Sequence, residues 1–135
     1  MTRSDKDRLW QAAVDARKNA YAPYSGFTVG AALLAADGRI FTGCNVENAA
    51  YSPTLCAERV ALGAAIAAGV RDFAAIAVIG GRGEILADTP PCGVCRQVMA
   101  EFCDTDFEIL LSDGKQIRGL TLGELLPFGF TKEHL

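Results

Sequence analysis

Three cysteines in this chain have the spacing of residues that share a metal ion. Cys92 and Cys95 form a Cys-x-x-Cys pair, and Cys56 stands earlier in the chain, directly before Ala57 and Glu58. Because Cys92 and Cys95 are three residues apart at the start of a predicted helix, both sulfurs lie on one face and can bind one ion. A Cys-x-x-Cys pair alone also suits redox chemistry. Three sulfurs would leave a tetrahedral zinc with one open position, which is typical of catalytic sites.

Two charged residues follow Cys56 at the start of a second predicted helix. We interpret Glu58 as the residue that transfers protons to and from a zinc-activated water molecule. Arg59 is three residues from Cys56 and shares its helical face, so it could donate hydrogen bonds to the sulfurs. The alternatives are a solvated carboxylate for Glu58 and a salt bridge between subunits for Arg59. A solvated carboxylate is unusual at the head of a helix as apolar as this one.

The remaining cysteines and the only histidine are interpreted as structural. Cys44 precedes Asn45, so its side chain points to the opposite face of the predicted strand. The alternative is that Cys44 supplies a fourth sulfur, which would make the chain a structural zinc module without catalytic activity. Cys103 is expected to pack at a helix end, and His134 to lie in a frayed, solvated C-terminus.

The composition indicates one domain, residues 1–135, in a chain that is half apolar and has a net charge of −3. It excludes a disordered tail and argues against a partner bound through a basic surface, such as a nucleic-acid polymer. The longest uncharged apolar run, 60–70, is too short to cross a membrane. An odd number of cysteines without a visible targeting signal favours reduced thiols and a cytoplasmic location. So much apolar content in a short chain suggests that another subunit covers part of it.

The elements that must position these residues are predicted in the order αββαβαββα. This order indicates an α/β fold, a three-layer α-β-α sandwich around a five-stranded mixed sheet. Ser4 and Asp7 resemble the cap of the first helix, and Asp37-Gly38 is a strong hairpin turn. Thr121 and Glu124 form a capping box for a short last helix. The strands are predicted at 27–35, 39–46, 73–79, 107–111 and 116–120, the two cysteine-led helices at 56–68 and 92–103, and loops at 47–55 and 80–91.

Cys-Ala-Glu followed by Pro-Cys-x-x-Cys resembles the zinc-dependent cytidine and deoxycytidylate deaminase superfamily, with Cys-x-Glu in place of His-x-Glu. The small, homotetrameric cytidine deaminases of that superfamily resemble the chain over nearly its whole length. The matching motifs lie at 24–33, 43–49, 56–59, 92–97 and 125–127, followed by Phe130. The resemblance implies one Zn²⁺ per chain, held by Cys56, Cys92 and Cys95, and a homotetramer with shared active sites.

The resemblance also implies how a small pyrimidine nucleoside would bind. The implied substrate contacts are Phe27, Asn45, Glu47, Ala57 and Phe130. Asn45 and Glu47 would hold sugar hydroxyls, with Gly43 leaving room on the same strand face. Phe27 would pack against the pyrimidine ring, while the Ala57 backbone and Glu58 would read the base edge. Phe130 would reach into the pocket of a neighbouring subunit, and Arg59 and Gln97 would surround the sulfurs.

The implied reaction is hydrolytic deamination of cytidine or 2′-deoxycytidine to uridine or 2′-deoxyuridine and ammonia, a step of pyrimidine salvage. Zinc-bound hydroxide would attack C4 while Glu58 delivers a proton to N3, and Glu58 would then protonate the leaving amino group. One alternative is a related deaminase of another aminopyrimidine, such as an antibiotic nucleoside. Another, from a different class, is the structural zinc module. Editing of polynucleotides fits poorly with the acidic composition.

Overall fold

The computed structural model describes all 135 residues of the chain. It contains one mixed sheet with helices packed on both faces, which confirms the predicted α/β sandwich. None of its helices combines the length and the apolarity needed to cross a membrane. In chain order the elements are α1 (Arg3–Arg17), β1 (Thr28–Ala35), β2 (Ile40–Cys44), α2 (Ala57–Ala67), β3 (Phe73–Arg82), β4 (Ile85–Ala87), α3 (Gly93–Phe102), β5 (Glu108–Ser112), β6 (Ile117–Thr121) and α4 (Leu122–Leu125).

The strands lie side by side in the order β2-β1-β3-β5-β6, and the short β4 pairs with β3. All pairs are antiparallel except β3 with β5, which are parallel. A parallel pair needs a crossover connection, and the segment containing α3 provides it. The prediction of five strands missed β4, because three residues are too few to show an alternating pattern.

Residues of the central strands alternate between two hydrophobic cores. On β1, Ala31 and Leu33 belong to the core shared with α2 and α3, whereas Ala32 and Leu34 belong to the core shared with α1. On β3, every residue from Ala75 to Ile79 is buried, which explains the continuous apolar run there. The sheet therefore separates α1 from the two helices that begin at cysteines.

The first helix begins earlier than its predicted cap. The Thr2 hydroxyl accepts a hydrogen bond from the Asp5 backbone at 3.1 Å, and the Asp5 carboxylate accepts one from the Thr2 backbone at 3.1 Å. This is a complete capping box. The prediction of a cap at Ser4 is wrong. Thr2 and Asp5 have the same spacing in the sequence, and because they precede Ser4 and Asp7, the helix already begins at Arg3.

Gly43 on β2 brings the first turn of α2 close to the sheet. A Cβ atom at Gly43 would lie 2.4 Å from the carbonyl oxygen of Ala57 and 2.5 Å from the backbone nitrogen of Ala61. The expectation that Gly43 leaves room for a substrate is wrong, because the backbone of α2 occupies that space. Gly43 instead allows the turn that carries Glu58 to pack directly on the strand.

The C-terminal segment is ordered by contacts among its own residues. Residues Lys132–His134 form a 3₁₀ helix. The His134 ring stacks on Phe130 with centroids 5.2 Å apart, and His134 Nδ1 accepts a hydrogen bond from the Thr131 backbone at 3.0 Å. The predicted fraying at His134 is therefore wrong, whereas the residue is exposed to solvent, as predicted.

Candidate active site

Two cysteine sulfurs lie at the N-terminal ends of neighbouring helices. Cys56 is the N-cap of α2 and Cys92 is the N-cap of α3, and neither side chain caps its own helix. Helices usually begin with Ser, Thr, Asp or Asn, whose oxygen binds the free amide groups of the first turn. Here the two sulfurs lie 3.8 Å from each other instead. A departure from a local folding preference at two such positions is typical of a functional site.

Cys95, one turn into α3, completes a cluster of three thiols whose sulfurs all lie within 4.8 Å of one another. Sulfurs bound to one tetrahedral zinc at about 2.3 Å lie about 3.8 Å apart, so the separation of Cys56 and Cys92 fits this ion. Cys44 does not belong to the cluster. It pairs with Gly30, where a Cβ atom would meet the backbone of α1, so Cys44 faces the other side of the sheet. A structural zinc module closed by Cys44 is inconsistent with this fold.

A cation and two helix N-termini favour negative charge on the sulfurs. Arg59 Nη2 donates hydrogen bonds to Cys56 Sγ at 3.4 Å and to the Thr54 carbonyl at 3.3 Å, as its helical spacing predicts. Hydrogen bonds from Cys95 and then Arg59 lower the pKa of Cys56 to about 5. The bond to Cys56, together with burial, raises the pKa of Cys95. Because metal ions bind thiolates, a bound cation would displace the proton that Cys95 holds.

Glu58 has an ionisable side chain that is almost completely buried. It is only 6% exposed, in the first turn of α2. Its carboxyl lies beside the Cys95 thiol. Burial, with a smaller contribution from the negative charge of Cys56, raises the pKa of Glu58 to about 7. Burial excludes the alternative that Glu58 is a solvated surface carboxylate.

Asn45 ties the end of β2 to the start of β1 with both ends of its amide. Its Oδ1 accepts a hydrogen bond from the Val29 backbone at 2.8 Å, and its Nδ2 donates one to the Phe27 carbonyl at 2.8 Å. The Phe27 ring packs over Gly80, where a Cβ atom would lie 2.9 Å from it. Arg82 lies over the same ring, with its guanidinium 5.9 Å from the centroid. Asn45 therefore fixes the backbone that carries the Phe27 ring.

The Glu47 carboxylate binds the segment that precedes Phe27. Its Oε1 accepts hydrogen bonds from the backbone of Tyr24 at 2.9 Å and of Ser25 at 3.1 Å, and its Oε2 accepts one from the Ser25 hydroxyl. These bonds, above all the one from the Ser25 hydroxyl, lower the pKa of Glu47, so the carboxylate is ionised at neutral pH. A cavity of about 310 Å³ opens beside it, lined by Tyr24, Ser25, Glu47, Asn48, Tyr51 and Thr54.

The side chain of Gln97 contacts the backbone of Phe130. Gln97 Nε2 donates a hydrogen bond to the Phe130 carbonyl at 2.7 Å, and it makes no hydrogen bond to a sulfur. Gln97 thus anchors the C-terminal segment to α3, and a role around the sulfurs stays a prediction. The Phe130 side chain is 58% exposed and stacks on His134, so it lies outside the core of its own chain.

Two residues of this region had no predicted role, Ser25 and Thr54. A serine two residues before Phe27, next to Gly26, is a signal for side-chain bonding to a turn. Thr54 holds Arg59 through its carbonyl, and its hydroxyl accepts a hydrogen bond from the Asn48 backbone at 3.2 Å. Because every residue has a backbone carbonyl, the sequence does not indicate that Thr54 accepts a hydrogen bond from Arg59. That contact could be found only from the structure.

Known proteins resemble the chain in sequence and in structure. Residues 3–111 match the family described as the cytidine and deoxycytidylate deaminase zinc-binding region. A cytidine deaminase of Sporosarcina psychrophila is 49% identical, with 97% of this chain and 95% of the relative aligned. A crystal structure of cytidine deaminase from Burkholderia pseudomallei, 49% identical, superposes with a TM-score of 0.86 over 96% of this chain and all of that chain. A crystal structure of cytidine deaminase from Mycobacterium tuberculosis is 42% identical and superposes with a TM-score of 0.78, over 93% of this chain and 97% of that chain.

The match to a zinc-binding region, together with the thiol cluster, confirms the predicted zinc cofactor.

Proposed function

Because the chain belongs to the cytidine and deoxycytidylate deaminase family, we propose that it converts cytidine, 2′-deoxycytidine or both to the corresponding uridine nucleosides in pyrimidine salvage. The observation that carries this proposal is a cluster of three thiols within 4.8 Å of one another, with the buried carboxyl of Glu58 beside one of them, Cys95. A hydrolytic deaminase needs these two parts, a metal with an open position and a group that moves protons.

In this proposal Cys56, Cys92 and Cys95 hold one Zn²⁺ per chain. Bound zinc supplies a Lewis acid that lowers the pKa of a water molecule. Three thiolates carry more negative charge than the ion carries positive charge, which weakens its acidity. The hydrogen bond from Arg59 to Cys56 withdraws charge from one sulfur and offsets part of this effect.

Glu58 moves the protons of the reaction. It accepts a proton from water and delivers it to N3 of cytosine as the water oxygen adds to C4. It then takes the second proton of the water from the hydroxyl now on C4 and passes it to the amino group. The C4–N4 bond breaks, and ammonia leaves. One carboxyl serves first as base and then as acid, and its burial keeps bulk water from competing for the protons.

Charge and packing support the proposed contacts with the substrate. Phe27 packs against the pyrimidine ring, and the Ala57 backbone and Glu58 read the base edge. Glu47 binds a sugar hydroxyl, since an ionised carboxylate is a strong acceptor for it, and Asn45 binds another with the second N–H of its amide, which the bond to Phe27 leaves available. The same negative charge beside the cavity repels phosphate, which favours a nucleoside over a nucleotide or a nucleic-acid polymer.

We propose that four copies of the chain assemble and share their active sites. The support is a set of aromatic side chains outside the core: Phe130 is 58% exposed, Tyr51 is 82% exposed and Phe128 is fully exposed. Exposed aromatic residues are enriched at surfaces that a partner subunit covers. Phe130 would enter the pocket of the neighbouring subunit.

We propose that residues 1–135 form a single catalytic domain. All five cysteines are free of disulfide bonds. Free thiols are typical of a reducing compartment, so we propose that the protein acts in the cytoplasm, on a free nucleoside.

Incubation of the purified protein with cytidine tests the proposed function. We expect uridine and ammonia to form in equal amounts, and the fall in cytosine absorbance measures the reaction. The protein used should contain about one zinc per chain by metal analysis. Cytidine 5′-monophosphate should react more slowly because of Glu47. A protein with its zinc in place that releases no ammonia from cytidine or 2′-deoxycytidine would contradict the proposal. Activity on a modified aminopyrimidine nucleoside alone would point to the related deaminase instead.

A further inference from the structure

The Ser25 hydroxyl joins two residues that the proposed function uses separately, Glu47 and Phe27. It donates a hydrogen bond to Glu47 Oε2 and accepts one from the Phe27 backbone at 2.9 Å. An ionised carboxylate can only accept, and a backbone N–H can only donate. The direction of both bonds is therefore fixed, and neither partner can be exchanged for the other.

The arrangement leaves one oxygen of Glu47 able to bind a further donor. Oε1 already accepts the backbone amides of Tyr24 and Ser25, whereas Oε2 accepts only the Ser25 hydroxyl. A carboxylate oxygen offers two acceptor sites, so Oε2 keeps one for a sugar hydroxyl. The Ser25 bond occupies the other site and so sets the direction in which the remaining one points.

The same hydroxyl acts on the ring that would face the base. Phe27 is held by the Ser25 hydroxyl at its nitrogen and by Asn45 at its carbonyl. Gly26, with a φ of +69°, forms the turn between Ser25 and Phe27. Because the Phe27 ring is packed over Gly80, a shift of this backbone would move the ring against β3.

We propose that Ser25 is a positioning residue that couples recognition of the sugar at Glu47 to recognition of the base at Phe27. This inference rests on the proposed function, and it adds a residue that touches neither the reacting atoms nor the thiols. Without the hydroxyl, Glu47 and Phe27 would each have to be ordered when the nucleoside binds. That cost falls on binding rather than on the chemical step, so KM should change more than kcat.

Ser25→Ala is expected to raise KM for cytidine about tenfold and to weaken the binding of uridine, measured by calorimetry, by the same factor. Both follow from the loss of a hydrogen bond to a charged group. The kcat should stay within about threefold of the wild-type value, because Glu58 is untouched. Ser25→Thr keeps the hydroxyl and should restore KM to within about threefold. Ser4→Ala, a control at an exposed serine of α1, should change neither constant.

A double-mutant cycle separates coupling from a general structural effect. In a Glu47→Ala background, the added Ser25→Ala change should weaken uridine binding by less than about twofold, because a hydroxyl that the carboxylate no longer orients no longer holds Phe27 in place either. Independent losses that multiply, a proportional fall in kcat, or wild-type uridine binding by Ser25→Ala would each overturn the inference.

The failure of the proposed function has a different signature. Wild-type protein that binds uridine but releases no ammonia would overturn the proposed reaction, and calorimetry would still decide whether Ser25 and Glu47 are coupled. Wild-type protein that neither binds uridine nor releases ammonia from cytidine would overturn both.

Discussion

Glu58→Gln is expected to lower kcat for cytidine by about 10³-fold while the protein keeps its zinc. Glutamine has nearly the same shape as glutamate but cannot take up or release a proton at neutral pH, and general acid–base catalysis by one group contributes about 10²–10⁴-fold. Glu58 is 6% exposed, so bulk water cannot readily replace it. Ammonia release under substrate saturation measures the loss, and metal analysis of the same sample measures the zinc.

Glu101→Gln provides the matched control, since Glu101 is an exposed glutamate on α3, outside the thiol cluster. Its kcat and zinc content should equal those of the wild type. A Glu58→Gln protein within about tenfold of wild-type kcat would show that another group transfers the protons. Loss of zinc from Glu58→Gln would assign the carboxyl a role in holding the metal instead.

Cys95→Ser is expected to reduce the zinc content from about one to below about 0.1 per chain, and activity should fall with it. Cys95 is the buried member of the thiol cluster and supplies the third sulfur. A serine hydroxyl stays protonated at neutral pH and is a poor zinc ligand, and two remaining thiolates hold the ion much more weakly. Metal analysis after dialysis against a moderate chelator measures the change.

Cys44→Ser and Cys103→Ser serve as the cysteine controls and should keep their zinc. Cys44 faces α1 on the far side of the sheet. Cys103 packs against the core at the end of α3, where burial raises its pKa to about 12, so it is a protonated thiol at neutral pH. Zinc loss from Cys44→Ser would restore the structural-module interpretation and contradict the three-sulfur cluster.

The sequence predicted the parts of the fold whose signals are local. Asp37-Gly38 forms the expected turn, with a φ of +94° at Gly38 that few residues other than glycine adopt. Thr121 and Glu124 form the expected capping box. The cluster of Cys56, Cys92 and Cys95 was also predictable. A Cys-x-x-Cys pair with a third cysteine elsewhere in the chain is a pattern typical of residues that bind one metal ion, and helix formation does not require it.

The parts that were missed depend on contacts between distant segments. Gly43 is a strand residue like its neighbours until α2 packs on it, so its role could not be predicted from β2 alone. The hydrogen bond from Gln97 to the Phe130 carbonyl was not predicted either, because its acceptor is a backbone oxygen of the C-terminal segment, 33 residues away along the chain. The bridge from Ser25 to Glu47 joins residues on two different segments, and no periodic pattern connects them.

X-ray absorption at the zinc edge shows whether three sulfurs hold the metal and leave one position open, because it counts the atoms around the metal in the intact protein. We expect three sulfur neighbours at about 2.3 Å and one lighter neighbour at about 2.0 Å. Four sulfur neighbours would contradict a site of three sulfurs, because the metal would then have no open position at which a substrate could react.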